Sequence, residues 1–161
     1  MNEISSQAIG VAGVHYVASR ISAMGFNVAQ TIRNAKHVDL LVGSPKTMRA
    51  ISVQVKTSKS AARGRGKGKN REILQYEFEI GWPCAQCSHK DLLFALADLG
   101  GYFDDPPVVP TVFWIPSHVI RQVFKVGNPQ LWRRAILKKP VAWFDDNNFR
   151  ENWNLIKQTF R

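Results

Sequence analysis

Asp39, Gln54 and Lys56 are the residues whose types and spacing could do chemistry together. Asp39 lies in an otherwise apolar stretch, residues 38–42, and a carboxylate there is unfavourable unless something binds it. Gln54 and Lys56 lie two positions apart in an alternating stretch, so their side chains point to one face of a strand. Oxygen ligands suit hard cations such as Mg²⁺, and a nearby lysine can orient a water or stabilise developing charge. Such a set of groups suits cation-assisted hydrolysis of a phosphodiester.

A simpler interpretation stays open, in which Asp39 is a strand-end carboxylate that pairs with Lys56. One Asp and one Lys do not separate the two interpretations, so the elements that position them matter. Residues 38–42 and 51–57 each predict a strand, and a Gly-Ser-Pro turn follows the first. The two strands form a plausible hairpin, which would bring Asp39 near Gln54 and Lys56.

The remaining pattern predicts a single α/β domain over residues 1–161, with a helix packed on a mixed sheet. A first helix is predicted over residues 6–24, where apolar residues recur at spacings of three and four before Gly25. Ser117 is predicted to cap a short helix. The other predicted elements are strands 26–32, 76–80, 92–99 and 112–115, and helices 117–124 and 148–160, the last with Phe149, Trp153, Ile156 and Phe160 on one side.

The positive charge of the chain is concentrated in its first 71 residues. This part supplies the whole net charge of +10. It has twelve Lys or Arg and two acids, whereas the rest of the chain has ten residues of each sign. Such a field attracts polyanions, of which nucleic acid is the commonest. Residues 59–71 are predicted to form a flexible basic loop, since glycines alternate with cations. Its predicted nucleic-acid contacts are Lys59, Arg63, Arg65, Lys67, Lys69 and Arg71, although a solvated loop without a partner is the alternative.

Four runs of the sequence resemble the core motifs of the PD-(D/E)XK nuclease superfamily. They are AGVHYVAS at 12–19, GFNV at 25–28, VDLLV at 38–42 and ISVQVKTS at 51–58. The likeness is greatest to a bacterial restriction-endonuclease-like group with a glutamine-x-lysine motif, and it extends to residues 91–99, 112–117 and 153–156.

The resemblance implies a restriction-endonuclease-like core, in which a helix and three strands begin a mixed β-sheet flanked by helices. It implies that Asp39 is the metal-binding aspartate, that Gln54 occupies the variable acidic position and that Lys56 is the catalytic lysine. The backbone carbonyl of Val55 would be a further metal ligand. The implied cofactor is Mg²⁺ or Mn²⁺, and the implied partner is DNA.

Val14 departs from that pattern. The superfamily often has a glutamate directly after the alanine-glycine pair, and valine stands there in this chain. His15 is next to it, but the helical spacing predicts that His15 points almost opposite to the apolar stripe. With a single carboxylate, the site would hold Mg²⁺ weakly without substrate.

Three functions are therefore compatible with the sequence. The first is a metal-dependent DNA endonuclease, and the second is a catalytically degenerate nuclease fold that binds DNA without cleavage. The third is a protein-interaction module whose basic half contacts an acidic partner.

Two further features carry more than one interpretation. Cys84 and Cys87 with nearby His89 suggest zinc, but the chain has no second cysteine pair and its other histidines are scattered, so zinc is disfavoured. Trp143 and Phe144 could pack on a second copy, which would suit a homodimer, although most such residues are core.

We expect a cytoplasmic protein without a membrane partner. The first ten residues have no basic flank and no apolar run, and no stretch reaches the length of a membrane span.

Overall fold

The computed structural model describes residues 4–32, 37–66, 71–102, 107–125 and 134–161. Two of the predicted nucleic-acid contacts, Lys67 and Lys69, lie outside these ranges. The elements in chain order are α1 Ser6–Ala23, β1 Asn27–Gln30, β2 Leu40–Gly43, β3 Ala50–Ser58, β4 Ala62–Arg65, β5 Glu72–Glu79, α2 Trp82–Ala85, β6 Leu92–Asp98, β7 Thr111–Pro116, α3 Ser117–Phe124, β8 Ile136–Pro140, α4 Val141–Asp146 and α5 Asn154–Thr159. Within the described ranges, no helix combines the length and apolar character needed to span a bilayer.

A five-stranded sheet forms the centre of the fold, in the order β1-β2-β3-β6-β7. Only β3 and β6 run parallel; the other neighbours in this sheet are antiparallel. The predicted hairpin of β2 and β3 is confirmed, with Leu40 opposite Val53. The mixed α/β class, with a sheet flanked by helices, is confirmed as well.

Helix α1 packs on one face of this sheet and forms as predicted. The Ser5 hydroxyl accepts a hydrogen bond from the Ala8 amide at 3.2 Å, and Gly25 has a φ of 88° just after the helix. Gly13 lies against β3 so closely that a Cβ there would be 2.0 Å from the Thr57 hydroxyl oxygen. The glycine therefore sets the distance between α1 and the strand that carries Lys56.

The chain forms strand β4 where a loop was predicted. Strands β4, β5 and β8 make a second sheet, and neither β4 nor β8 was predicted. The Asp98 carboxylate accepts hydrogen bonds from the amides of Ala61 and Ala62 at 2.8 and 3.3 Å, which fixes the start of β4. A Cβ on Gly64 would lie 1.8 Å from the Glu72 carbonyl oxygen, so this glycine permits close strand pairing rather than only flexibility.

The predicted last helix begins too early. Asn148 and Glu151 have positive φ values of 53° and 50°, which are not helical. Arg150 forms an isolated antiparallel β-bridge with Phe113 of β7. Helix α5 therefore starts only at Asn154. Phe149 consequently packs in the cluster on the opposite face of the sheet from Ile156.

Two smaller expectations also change. Ser117 is not a cap but the buried first residue of α3, and its hydroxyl donates to the His89 carbonyl at 2.8 Å. Phe144 is fully buried against Tyr76 and Phe113, so the core interpretation holds for it. A homodimer stays a prediction.

Candidate active site

Asp39 lies immediately before β2, next to the middle of β3. Its amide donates to the Val53 carbonyl at 2.9 Å, which extends the β2–β3 pairing by one step. Its carboxylate oxygen Oδ2 accepts hydrogen bonds from the side-chain amide of Gln54 and from the backbone amide of Val55, the latter at 2.7 Å. The structure therefore brings Asp39 and Gln54 together, as the predicted hairpin requires.

Gln54 is almost completely buried, with 6% of its surface exposed. Its amide nitrogen Nε2 reaches the Val55 carbonyl oxygen at 3.4 Å as well as Asp39. The side-chain amide nitrogen of Gln54 thus lies between the Asp39 carboxylate and the Val55 carbonyl, both of which were predicted as metal ligands.

Burial raises the pKa of the Asp39 carboxyl above its ordinary value. The amide of Val55, the charge of Lys56 and the amide of Gln54 favour the ionised form, but they offset the effect of burial only in part. Because burial disfavours the charge of this carboxylate, a bound cation would stabilise its ionised form.

Lys56 lies on the same face of β3 as Gln54 and lines one cavity with it. Alternation in β3 puts Val53 and Val55 in the cluster beneath α1, and Gln54 and Lys56 on the other face. Asp39, Gln54 and Lys56 all line a cavity of about 620 Å³, which we call the Asp39 cavity.

The wall that α1 contributes to the Asp39 cavity contains Val14, in the position where the superfamily often has glutamate. His15 is exposed on the side of α1 away from the buried stripe, as the helical spacing predicted, and it also lines this cavity. Its ring nitrogen Nδ1 accepts a hydrogen bond from the Gln30 amide at 3.0 Å, because β1 lies close to this side of α1. No spacing in the sequence links His15 to Gln30.

Glu79 adds a second carboxylate to the wall of the Asp39 cavity, and no motif in the sequence indicated it. It lies at the end of β5 and pairs with Arg134, whose Nε donates to it at 3.0 Å. Among the described residues, no three His, Cys, Asp or Glu side chains form a metal-binding group.

The basic residues after β3 line a second cavity, of about 690 Å³, which we call the basic cavity. Lys59, Arg63 and Arg71 contribute to its lining. Arg63 pairs with Glu77 at 3.2 Å, and Arg71 donates to the Ala62 carbonyl at 2.8 Å. Arg65 is exposed at the end of β4. Thr57 lines the Asp39 cavity and Ser58, the next residue of β3, lines the basic cavity.

The chain is similar in fold to a bacterial homing endonuclease, I-Ssp6803I. The TM-score is 0.58 at 16% sequence identity, and the match covers 97% of this chain and 94% of the endonuclease chain. No protein-family model and no curated protein matches the sequence. At this identity the likeness shows the fold.

Proposed function

We propose that this protein binds DNA and, as a nuclease of the PD-(D/E)XK type, hydrolyses phosphodiester bonds with the help of Mg²⁺ or Mn²⁺. The observation that carries the proposal is the convergence of Asp39, Gln54 and Lys56 on one cavity. The fold supports it, because the similar solved structure is that of a homing endonuclease. The excess of positive charge in the first 71 residues suits a polyanionic substrate.

The oxygen atoms around the Asp39 cavity are the kind of ligand that a hard cation prefers. Nε2 of Gln54 contacts both Oδ2 of Asp39 and the carbonyl oxygen of Val55, so a positively polarised group already lies between these oxygens. If the Gln54 amide turned over, its oxygen would join the other two and complete a set of three oxygen ligands. The cation, once held there, would supply positive charge for the scissile phosphate.

Lys56 would act on the water or on the phosphate. Lys56 lines the cavity, and its positive charge favours the ionised form of Asp39. A fixed positive charge at this point can orient the attacking water and stabilise the charge that develops on the phosphate. Lys59, Arg63, Arg65 and Arg71, together with Lys67 and Lys69, would hold the DNA backbone beyond the cavity.

The second candidate is DNA binding without cleavage, and two observations favour it. Val14 presents an apolar side chain to the cavity where a second acid would help to hold the cation. Oδ2 of Asp39 is already occupied by two hydrogen-bond donors. A cation would have to compete with these contacts.

A cleavage assay separates the candidates. Plasmid and single-stranded DNA are incubated with the protein in Mg²⁺ or Mn²⁺, with Asp39→Ala and Lys56→Ala as test variants. Lys46→Ala is the matched control, because Lys46 is exposed in the turn at the other end of β2. Cleavage by the wild type and the control, lost in both test variants, supports the nuclease. Salt-sensitive binding without cleavage supports the second candidate, and no binding at low salt overturns both.

A further inference from the structure

Two cysteines lie in a tight turn beside the candidate active site. Cys84 is in α2 and Cys87 follows it, and both thiols are free and half-buried. The Cys87 amide donates to the Cys84 carbonyl at 3.0 Å, which is the hydrogen bond of a turn between residues i and i+3. Such a turn holds the two Cα atoms within about 7 Å, and a disulfide needs roughly 4.4–6.8 Å. The backbone is therefore already close to disulfide geometry.

The two thiols have different surroundings. Sγ of Cys84 lies 3.6 Å from Nδ1 of His37 and 3.9 Å from the side-chain oxygen of Gln54. Sγ of Cys87 donates to the Pro83 carbonyl at 3.3 Å, within its own turn. His37 has a φ of 64°, in the left-handed region that histidine adopts more often than most residues, and it is brought to Cys84 from 47 residues away. Of the two thiols, Cys84 is the one that contacts the candidate active site within the described ranges, through Gln54.

We propose that Cys84 and Cys87 form a reversible disulfide, with a low-molecular-weight disulfide such as glutathione disulfide as the oxidant. The Cys84 sulfur attacks one sulfur of the oxidant and releases one glutathione thiol. Cys87 then attacks the Cys84 sulfur of the mixed disulfide and releases the second. The protein loses two electrons and two protons, and the oxidant becomes two thiols. In a reducing compartment such a bond is transient and reports the redox state.

The disulfide would change the surroundings of Gln54. Bonding to Cys87 removes the thiol proton of Cys84 and draws its sulfur towards the turn. The buried oxygen of Gln54 then loses the contact at 3.9 Å, and the contact with His37 is lost as well. Gln54 donates a hydrogen bond to Asp39 from its side-chain nitrogen. A change at the side-chain oxygen of Gln54 on oxidation would therefore affect the candidate active site. The inference does not depend on nuclease activity.

Thiol trapping tests the bond itself. The intact protein is equilibrated with glutathione buffers of increasing disulfide content, alkylated with N-ethylmaleimide and weighed by mass spectrometry. We expect the wild type to pass from two alkylations to none, with a mass lower by two hydrogens and no glutathione attached. In Cys87→Ser, Cys84 should instead retain glutathione. Persistence of both free thiols, glutathione on both cysteines of the wild type, or zinc that survives dialysis and blocks oxidation would each overturn the proposal.

Nuclear magnetic resonance tests the link to Gln54. Oxidation should shift the side-chain amide signals of Gln54 in the wild type and leave them unchanged in the double variant Cys84→Ser/Cys87→Ser, which can form neither the disulfide nor a mixed disulfide with glutathione. Gln75 is the internal reference, because its side chain bonds Glu77 at 2.9 Å in β5 and does not contact either cysteine. If the Gln54 signals shift no more than those of Gln75 while the disulfide forms, the link to the site is wrong.

Discussion

Gln54 donates a side-chain hydrogen bond to the carboxylate of Asp39 across the β2–β3 pair. The Val55 amide donates to the same oxygen, so the carboxylate is held by two donors while burial disfavours its charge. In the described part of the chain, no hydrogen bond reaches the second oxygen, Oδ1. Asp39 is thus fixed in place, and within the described residues its Oδ1 accepts no hydrogen bond that a cation would have to displace.

Removing the charge of Asp39 should stabilise the fold at neutral pH. The pKa of Asp39 in the folded protein lies above its ordinary value of 3.8. Protonation of Asp39 therefore stabilises the fold at pH values below 3.8, and this stabilisation is lost as the pH rises through the folded-state pKa. Asp39→Asn cannot titrate, so its melting temperature should exceed that of the wild type at pH 7. The gain should shrink towards zero below about pH 4. Asp146→Asn, at an exposed carboxylate, is the control and should show no such gain. A melting temperature for Asp39→Asn below that of the wild type at pH 7 would mean that the hydrogen bonds and the charge of Lys56 outweigh the effect of burial on Asp39.

The contact between α1 and β3 should be intolerant of a methyl group at Gly13. A Cβ there would lie 2.0 Å from Oγ1 and 2.6 Å from Cγ2 of Thr57, so Gly13→Ala should destabilise the protein by about 1–3 kcal/mol. Gly10→Ala is the matched control, since a Cβ at Gly10 meets nothing within 4 Å. It should stabilise the helix by roughly 0.5–1 kcal/mol. Urea unfolding measures both, and equal effects would mean that α1 does not approach Thr57 this closely.

A carboxylate at position 14 should strengthen cation binding. Val14 lines the Asp39 cavity, and glutamate there would add a carboxylate to the lining as a further oxygen ligand. Val14→Glu should bind Mn²⁺ more tightly than the wild type and raise any cleavage. Ser19→Glu adds the same charge to an exposed position on the same helix and should leave both unchanged. Calorimetric titration with Mn²⁺ is the measurement. A folded Val14→Glu protein with unaltered affinity would show that α1 does not complete this site.

The exposed cations beyond β3 should govern the salt dependence of DNA binding. Each phosphate contact contributes about 0.9 to the slope of log affinity against log salt concentration. Lys59→Ala and Arg65→Ala should therefore each reduce the magnitude of this slope by about 0.9, the contribution of one phosphate contact. Lys157→Ala removes an exposed cation from α5 and should leave it unchanged. Fluorescence anisotropy over a range of salt concentrations gives the slopes, and equal slopes in all variants would remove these residues from the DNA interface.

The part of the site that the sequence could predict depends on short-range patterns. Strict alternation in 51–57 assigns Gln54 and Lys56 to one face, and the turn before it makes β2 and β3 neighbours. Asp39 therefore reaches Gln54 by a local hairpin.

The parts that the sequence could not predict depend on long-range contacts. His37 and Cys84 are 47 residues apart, and nothing in their spacing brings them together. Glu79 reaches the Asp39 cavity only because the second sheet is placed beside the first. Gly64 was interpreted as a flexible spacer, whereas its missing side chain lets β4 pair closely with β5.

Uptake of Mn²⁺ by the protein in the presence of duplex DNA tests the central claim most directly. Electron paramagnetic resonance measures the free ion for the wild type, Asp39→Ala and the control Asp146→Ala, after subtraction of the ion bound by DNA alone. Wild type and control should take up the ion, and Asp39→Ala should lose that uptake. Equal uptake by all three proteins would contradict a cation site at Asp39.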